Sequence, residues 1–298
     1  MNVKVMSYLI YPVIVILSVG IYAFSSSHGG SIALSGFGAV MFGAALIMLF
    51  EQIIPYQLKW RPRPEDIKDD LLYTVFIQIA LPRVLGFLIV ILLAHQIGAD
   101  APFSTIWPRA WPLAAQALLL IVSADFMRYW LHRLSHTTSL LWRLHAVHHS
   151  TDRLYWLNTS RFHPIEKTLQ FMLDSLPFIL MGVDPHVIGF WFVLYSVNGF
   201  FQHSNINLCF GPLSQIFSTA ELHRWHHSQI PSQSNSNYAN VFILWDRLFG
   251  TYYRPAGEVG TLGLLNADYP MDIIQQMKAP FVNELYKQNA SPQQQKND

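Results

Sequence analysis

Cysteine and charged residues are both scarce in this chain. Cys209 is the single cysteine among 298 residues, which excludes an internal disulfide and any site built from several cysteines. Charged residues make up only 12% of the chain, against about 25% in ordinary soluble domains. The formal net charge of +1 leaves little basic surface to neutralise phosphates, so a nucleic-acid partner is not expected.

Hydrophobic residues, by contrast, make up 52% of the chain, and the mean hydropathy is +0.26. The composition therefore predicts an integral membrane protein. Four apolar segments are long enough to cross about 30 Å of hydrocarbon, at 5–24, 32–50, 71–94 and 112–131. The first lacks a cleavage site of the A-x-A type and is expected to be a retained helix. Gly36, Gly38 and Gly43 in the second allow close contact with another helix.

The third apolar segment is interrupted by Pro82 and Arg83. An arginine inside a membrane segment is a candidate functional residue. A paired or snorkelling structural arginine at a proline kink is the interpretation we favour for Arg83.

Basic residues indicate how the chain is oriented. The loop at 56–70 carries Lys59, Arg61, Arg63 and Lys68, whereas residues 25–31 carry neither lysine nor arginine. The positive-inside rule therefore places the loop at 56–70 in the cytoplasm. Four crossings then return the chain to the cytoplasmic face just before His132. A bacterial inner membrane is favoured, and the endoplasmic reticulum is the alternative.

A fifth apolar stretch, at 168–202, breaks at 182–185. Each half has about fifteen residues, which is short for a complete crossing. We expect a hairpin, re-entrant or barely spanning, that leaves and returns on one side of the membrane. Residues 290–298 are polar and are expected to be disordered.

Histidines are concentrated in three short motifs. Eight of the thirteen histidines form one HxxxH and two HxxHH motifs. Residues three and four apart share a helix face, so each motif directs two or more imidazoles at one point. Neutral imidazole is a frequent ligand of iron, zinc and copper. The eight motif histidines are His132, His136, His145, His148, His149, His223, His226 and His227.

Eight ligands exceed the four of tetrahedral zinc and the six or so of octahedral iron, so two metals are expected to share them. His203, at the end of the predicted hairpin, is a further expected ligand. His163, soon after the second motif, is equally balanced between ligand and ordinary residue. Metal-bound histidines usually donate their second ring N–H to a carboxylate or carbonyl. The carboxylates considered for this role are Asp125, Glu166, Glu221 and Asp246, the alternative for each being a salt bridge with a nearby arginine such as Arg128 or Arg247.

The motifs lack the glutamate of HExxH zinc peptidases, so no base is evident for activating a zinc-bound water. They also lack the Glu-x-x-His pairs of ferritin-like di-iron proteins. An all-histidine site at a membrane surface suits redox-active iron that activates O₂. Two alternatives stay open, which are a zinc-dependent lipid hydrolase and a membrane protein that handles metal or haem.

With these motifs in place, the chain resembles the fatty acid hydroxylase/sterol desaturase superfamily of membrane di-iron oxygenases. The residues that carry the resemblance span 124–255 and comprise DFMRYWLHRLSH at 125–136, LWRLHAVHHS at 141–150, RFHP at 161–164, FQHSNI at 201–206, and ELHRWHHS at 221–228 followed by NSNYANVFILWDRLFGTYYRP at 235–255. Ala239 stands where many relatives have glycine, with little consequence expected.

The resemblance implies an all-α membrane fold with a cytoplasmic, helical, histidine-rich cap over two non-haem irons. It implies O₂-dependent hydroxylation or desaturation of a lipid C–H bond, with the eight motif histidines and His203 as iron ligands and His163 as a ligand or its neighbour. The expected organisation is transmembrane helices at 1–111, a catalytic region at 112–255 and a polar tail at 256–298. The lipid itself, whether sterol, fatty acyl chain or a related lipid, is left open.

Electrons for such a reaction have to come from another protein. The chain has no dinucleotide-binding glycine fingerprint, no CxxCH haem motif and too few cysteines for an iron–sulfur cluster. We therefore expect a separate ferredoxin- or cytochrome-type donor to dock on the cytoplasmic face.

Overall fold

The computed structural model describes residues 3–93, 103 and 105–286. Within these residues the regular structure is helical, and β-structure is limited to three isolated bridges, Pro55 with Ile206, Phe217 with Phe242, and Ser228 with Leu262. The predicted all-α class is confirmed. The predicted disordered tail at 290–298 lies outside the described residues.

The first two helices are α1 (Val3–Ser27) and α2 (Ile32–Ile53). They pack against each other and against a later helix, and small residues on α2 permit this. A Cβ added at Gly43 would lie 2.9 Å from Ser18 Oγ and 3.0 Å from Val197 Cγ2, whereas one added at Gly38 would meet nothing within 4 Å. The predicted close approach therefore holds at Gly43 and does not hold at Gly38.

The third helical stretch runs from α3 (Pro64–Leu72) through a π-helical segment (Tyr73–Ala80) into α4 (Leu81–Leu93). Pro82 does not interrupt it. The wider π-helical turns precede Pro82, where its ring would otherwise clash with the carbonyl one turn earlier. Arg83 donates to the Ile79 carbonyl oxygen at 2.7 Å and lies 4.3 Å from the centre of the Phe37 ring, which agrees with a structural role.

Three helical stretches among the described residues are long and apolar enough to cross a membrane, namely Val3–Ser27, Ile32–Ile53 and Pro64–Ile89. The fourth predicted segment forms the first part of α5 (Leu113–Thr137), whose buried residues include Gln116, Asp125 and Arg128. Because α5 contains these polar residues, it is less apolar than the other three helical stretches. Their side chains lie inside the helix bundle. A fourth crossing by α5 stays a prediction.

The apolar stretch after residue 163 forms a helical hairpin. Its first arm is α7 (Pro164–Asp174) followed by α8 (Leu176–Leu180), and its second arm is α9 (Pro185–His203). The turn between them includes Gly182 at φ +61, a left-handed conformation that glycine adopts without steric cost. The 19 residues of α9 reach about 28 Å, further than the predicted half-hairpin of about fifteen residues.

The first arm of the hairpin begins, and the second arm ends, at the end of the molecule that carries the histidine motifs, which we call the histidine end. At the other side, Arg109 donates to the Met181 carbonyl oxygen at 3.1 Å, which joins the hairpin turn to the segment before α5. The predicted hairpin is therefore confirmed, and its departure from and return to one side of the membrane stays a prediction.

Short elements complete the histidine end, and they are α6 (Ser139–His149), α10 (Ala220–His226), α11 (Pro231–Ser234), α12 (Leu244–Leu248), α13 (Ile273–Lys278) and 3₁₀ turns at Leu58–Trp60, Trp156–Ser160, Gly211–Gln215, Ala279–Phe281 and Asn283–Tyr286. The basic loop after α2 lies at the same end, since the Arg61 carbonyl oxygen accepts from Arg153 at 3.1 Å. The end of α2 is also fixed there. Glu51 is buried, and its Oε1 accepts from the Trp156 and Asn205 N–H groups at 2.8 and 2.9 Å.

The described part of the predicted polar tail, up to residue 286, is folded against the rest of the chain. Gln276 accepts from the Tyr73 hydroxyl at 2.7 Å and donates to Ser150 Oγ at 2.9 Å. Tyr269 and Tyr286 are buried beside α6. Residues 256–286 therefore cover the histidine region and do not form a loose tail.

Candidate metal centre

Nine of the ten histidines predicted as ligands come together in two groups. Within each group one ring nitrogen per histidine lies within 4.8 Å of all the others. The first group is His132, His136, His145, His149 and His226, and the second is His148, His203, His223 and His227. All are buried except the half-buried His132.

The two HxxHH motifs each serve both groups. Neighbouring residues on a helix point about 100° apart, so His148 and His149 at the end of α6 face different groups. The same is true of His226 and His227 at the end of α10. The two motifs are complementary. The i, i+4 pair of the α6 motif, His145 and His149, enters the first group, and that of the α10 motif, His223 and His227, enters the second.

The outer nitrogens of six histidines have oxygen partners. Carbonyl oxygens of Tyr238, Arg161 and Ser236 lie 2.7, 3.2 and 2.8 Å from the Nδ1 atoms of His132, His148 and His226 respectively. Because a carbonyl oxygen only accepts, these Nδ1 atoms carry the proton and the inward Nε2 atoms present lone pairs.

Side-chain oxygens hold the other three outer nitrogens. Asn235 Oδ1 lies 3.2 Å from His136 Nδ1, Glu166 Oε1 lies 2.8 Å from His145 Nδ1, and Asn158 Oδ1 lies 2.8 Å from His203 Nδ1.

Inward nitrogens approach one another closely in both groups. Nε2 of His149 lies 3.2 Å from Nε2 of His136 and 3.1 Å from Nε2 of His226. In the second group, Nε2 of His223 lies 3.1 Å from Nε2 of both His203 and His227. A proton on the nitrogen in the middle, that of His149 or His223, could form a hydrogen bond to only one of its two neighbours. Each group therefore has more inward lone pairs than protons to pair with them, and a cation would complete it.

The surroundings keep the imidazoles neutral. Burial, followed by the neighbouring histidines, holds the pKa of His145, His149, His223 and His227 well below the usual range. Burial lowers the pKa of His226 to about 4. Neutral imidazole is the form that binds metal, so the site is prepared for cations at physiological pH.

This arrangement fits metal ions. Two nitrogens at right angles and about 2.1 Å from one cation lie about 3 Å apart, which matches the observed separations. Five nitrogen donors in the first group exceed the four of a structural zinc site and suit a metal of higher coordination number, such as iron.

Glu166 is the one carboxylate of the four predicted that contacts a clustered histidine directly. Burial raises its pKa to about 7. Glu221 instead pairs with Arg254 at 3.3 Å. For Glu221 the alternative of a salt bridge with an arginine therefore holds, and neither Asp125 nor Asp246 makes a hydrogen bond to a clustered histidine.

Asp125 and Asp246 act one step further out. Asp125 accepts from the N–H groups of Val241 and Phe242 at 2.8 Å each, and Asp246 accepts from those of Tyr238 and Ala239 at 2.8 and 2.9 Å. They fix the irregular segment at 238–242, whose Tyr238 carbonyl holds His132. Ala239 is accommodated, because the positive φ in this segment falls on Asn237, a residue type that tolerates it.

Sequence reasoning missed the residues that support the second group. The Asp70 carboxylate at the end of α3 accepts from the Tyr155 hydroxyl and from Arg161 Nε, and all three residues are buried. Arg161 in turn presents its carbonyl oxygen to His148, and Asn158 on the same segment holds His203. Arg161 belongs to the RFHP motif and could have been selected from the sequence. Asp70 could not, because it is one of several charged residues at a predicted membrane boundary.

His163 belongs to neither group. Its Nδ1 accepts from the Ile165 N–H at 3.2 Å, which caps the start of α7, and its Nε2 lies 3.3 Å from the Met277 carbonyl oxygen. Pro164 begins the helix directly after it. Of the two interpretations left open for His163, the geometry favours an ordinary residue that caps a helix over a metal ligand.

Comparisons with known proteins agree with the geometry. The fatty acid hydroxylase family profile matches residues 117–251, and ornithine lipid hydroxylase OlsE from Rhizobium tropici is 35% identical over 241 residues, covering 80% of this chain and 72% of the relative. The chain belongs to the fatty acid hydroxylase family. The resemblance seen in the sequence is thus confirmed.

Other relatives match about half of the chain. Alkylglycerol monooxygenase from Danio rerio is 32% identical over 153 residues, 51% of this chain and 33% of the relative. Very-long-chain aldehyde decarbonylase GL1-8 from Oryza sativa subsp. indica is 32% identical over 147 residues, 48% of this chain and 54% of the relative. No solved structure matches the chain.

Proposed function

We propose that this family member is a membrane-bound, non-haem di-iron oxygenase that hydroxylates a lipid C–H bond. The observation that carries the proposal is the pair of buried histidine groups with inward nitrogens 3.1–3.2 Å apart. The relatives support hydroxylation over desaturation, since two of them are named hydroxylase and monooxygenase. The proposed substrate is a lipid that arrives from the bilayer.

Two bound irons would supply O₂-dependent oxidation of the C–H bond. In the overall balance, one oxygen atom becomes the hydroxyl group of the product, and the other leaves as water after taking up two electrons and two protons. The nine clustered histidines would hold the metals. Burial of these side chains excludes bulk water from the site.

The electrons are proposed to come from a separate ferredoxin- or cytochrome-type protein. We place the histidine end at the cytoplasmic face of the membrane, because the basic loop with Arg61 and Arg63 packs at that end. A bacterial inner membrane is the proposed location.

The test is lipid analysis of cells that express the wild type or His148→Ala and are grown under ¹⁸O₂. We expect a lipid that carries one ¹⁸O in the wild-type cells and is absent from the variant cells. A product that instead carries oxygen from water would contradict the oxygenase and support the zinc-hydrolase alternative. A wild-type lipid profile identical to that of the variant would also contradict the proposal.

A further inference from the structure

A strip of buried polar side chains leads from the metal centre into the helix bundle. On the inner face of α7, Glu166, Gln170 and Asp174 follow one another at intervals of four residues. Such residues lie one above the other on a helix. All three are at most 5% exposed. The strip begins at His145, through Glu166, and continues towards the hairpin turn.

Several buried polar atoms on α7 and on the neighbouring arm of the hairpin, α9, have no hydrogen-bond partner. They are Glu166 Oε2 and Gln170 Oε1 on α7, and Trp191 Nε1 and the Tyr195 hydroxyl on α9. Trp191 and Tyr195 are also four residues apart and share a face of their helix. Leaving a buried donor or acceptor unpaired costs about 1–3 kcal/mol, so these two pairs of atoms, one pair on α7 and one on α9, call for partners that the chain itself does not supply.

The far end of the strip is apolar. Near the hairpin turn, a small cavity between α5, α8 and α9 is lined by Leu120, Phe178, Ile179 and Ile188, with Asp174 and Trp191 at its polar side. Polarity therefore increases from the membrane-side cavity towards the histidines. This gradient suits an amphiphile whose polar group lies nearest the metals.

The hydrogen-bonding groups also limit the chemistry of the ligand. Arg128 on α5 pairs with Asp174 at 3.1 Å. The arginine is thus neutralised within the protein. Together with α9, the strip offers both unpaired donors (Trp191, Tyr195) and unpaired acceptors (Glu166, Gln170). A group that both donates and accepts, such as a hydroxyl or an amide, matches it better than a simple anion or cation.

We propose that Glu166 and Gln170 of the polar strip, together with Trp191 and Tyr195 on α9, bind the hydroxyl or amide of the lipid substrate, with the alkyl chain directed past the apolar residues near the hairpin turn towards the bilayer. This inference rests on the proposed function for its reaction. It adds a regiochemical consequence, because the oxidised C–H bond then lies close to the polar group and not at the end of the chain.

Photo-crosslinking tests this orientation on the full-length, metal-containing protein in lipid nanodiscs. The probes are two long-chain fatty amides, one with a diazirine beside the amide and one with it at the tail end, and a diazirine alkane serves as the apolar control. Labelling is done without O₂ or reductant and mapped by peptide mass spectrometry. We expect the amide-side probe to label peptides with Gln170 and Tyr195, and the tail-end probe to label those with Phe178 and Ile188. The reverse pattern, absence of labelling, or equal labelling by the alkane would overturn the proposal.

Variants sharpen the test. Tyr195→Phe and Gln170→Leu should each reduce amide-side labelling by roughly tenfold, as expected for one lost hydrogen bond. Tyr8→Phe, on the exposed side of α1, should leave the labelling unchanged. Unaltered metal content shows that each variant is folded. If ordered waters alone fill the strip, the two substitutions will leave the labelling as it is, and the proposal fails.

The outcome separates this inference from the proposed function. Labelling needs neither O₂ nor electrons, so the expected pattern can appear even if the protein oxidises nothing. If an ¹⁸O-labelled lipid is found but fragmentation places the oxygen at the chain end, the oxygenase holds and only the orientation is wrong.

Discussion

Glu166 Oε1 lies 2.8 Å from His145 Nδ1, and both side chains are buried. The carboxylate fixes the ring so that its other nitrogen faces the first histidine group. Such outer partners of a metal ligand typically account for about 10–100-fold in metal affinity. The contact therefore links α7, the first arm of the hairpin, to the proposed metal site.

Glu166→Gln should weaken metal binding at the first group by about 10–100-fold, because a neutral amide holds His145 less firmly. Chelator competition followed by metal analysis measures the effect. Glu221→Gln is the matched control, since that carboxylate pairs with Arg254 and not with a histidine. Equal metal retention by the two variants would show that Glu166 does not support the site.

Asp70→Asn should disturb the second group, although Asp70 contacts no histidine in that group. Removing one partner of a buried ion pair costs about 3–5 kcal/mol, and here the partner is Arg161, whose carbonyl oxygen meets His148. We expect a lower unfolding temperature in detergent and loss of the second metal before the first. Asp152→Asn removes an exposed pair with Arg153 and should change stability by less than about 1 kcal/mol. A variant of Asp70 that behaves like that of Asp152 would refute this role.

Two histidines close to the motifs should behave differently when replaced. His203→Ala removes a member of the second group and should lower the metal content, whereas His163→Ala should leave it unchanged. His163→Ala loses a helix cap and should cost about 1 kcal/mol of stability. Metal analysis and thermal unfolding of both proteins distinguish a ligand from a cap, and metal loss in His163→Ala would restore it as a ligand.

Helix packing around α2 can be tested at two glycines of one helix. Gly43→Ala places a methyl group 2.9 Å from Ser18 Oγ and 3.0 Å from Val197 Cγ2, and should destabilise the protein by about 1–3 kcal/mol. Gly38→Ala faces open space and should be neutral or slightly stabilising. Unfolding by heat in the same detergent compares them. Equal stability would mean that α1, α2 and α9 pack less closely than described.

Local spacing in the sequence was enough to predict that the eight motif histidines gather, because i, i+3 and i, i+4 placement fixes a helix face regardless of the rest of the fold. It could not divide them into two groups. That division depends on how α6 and α10 face each other, which separates His148 from His149 and His226 from His227. His163 was ambiguous for the same reason, since only the fold shows that its ring turns back to cap α7.

Long-range partners were beyond sequence reasoning. Asp125 and Asp246 were selected as carboxylates near the motifs, yet both bind backbone N–H groups of the segment at 238–242. Asp70 supports His148 from a helix that begins far earlier in the chain. Hydropathy did predict the three long apolar helices and the hairpin, because each needs only its own residues to be apolar.

Metal analysis of the purified chain tests the proposed di-iron centre most directly. Protein purified in mild detergent from iron-replete cells should contain about two irons per chain, as two groups of four and five histidines imply, and His148→Ala should lose about half or more. Failure of the wild type to take up iron even after anaerobic reconstitution, or a metal content unchanged in His148→Ala, would contradict the di-iron centre.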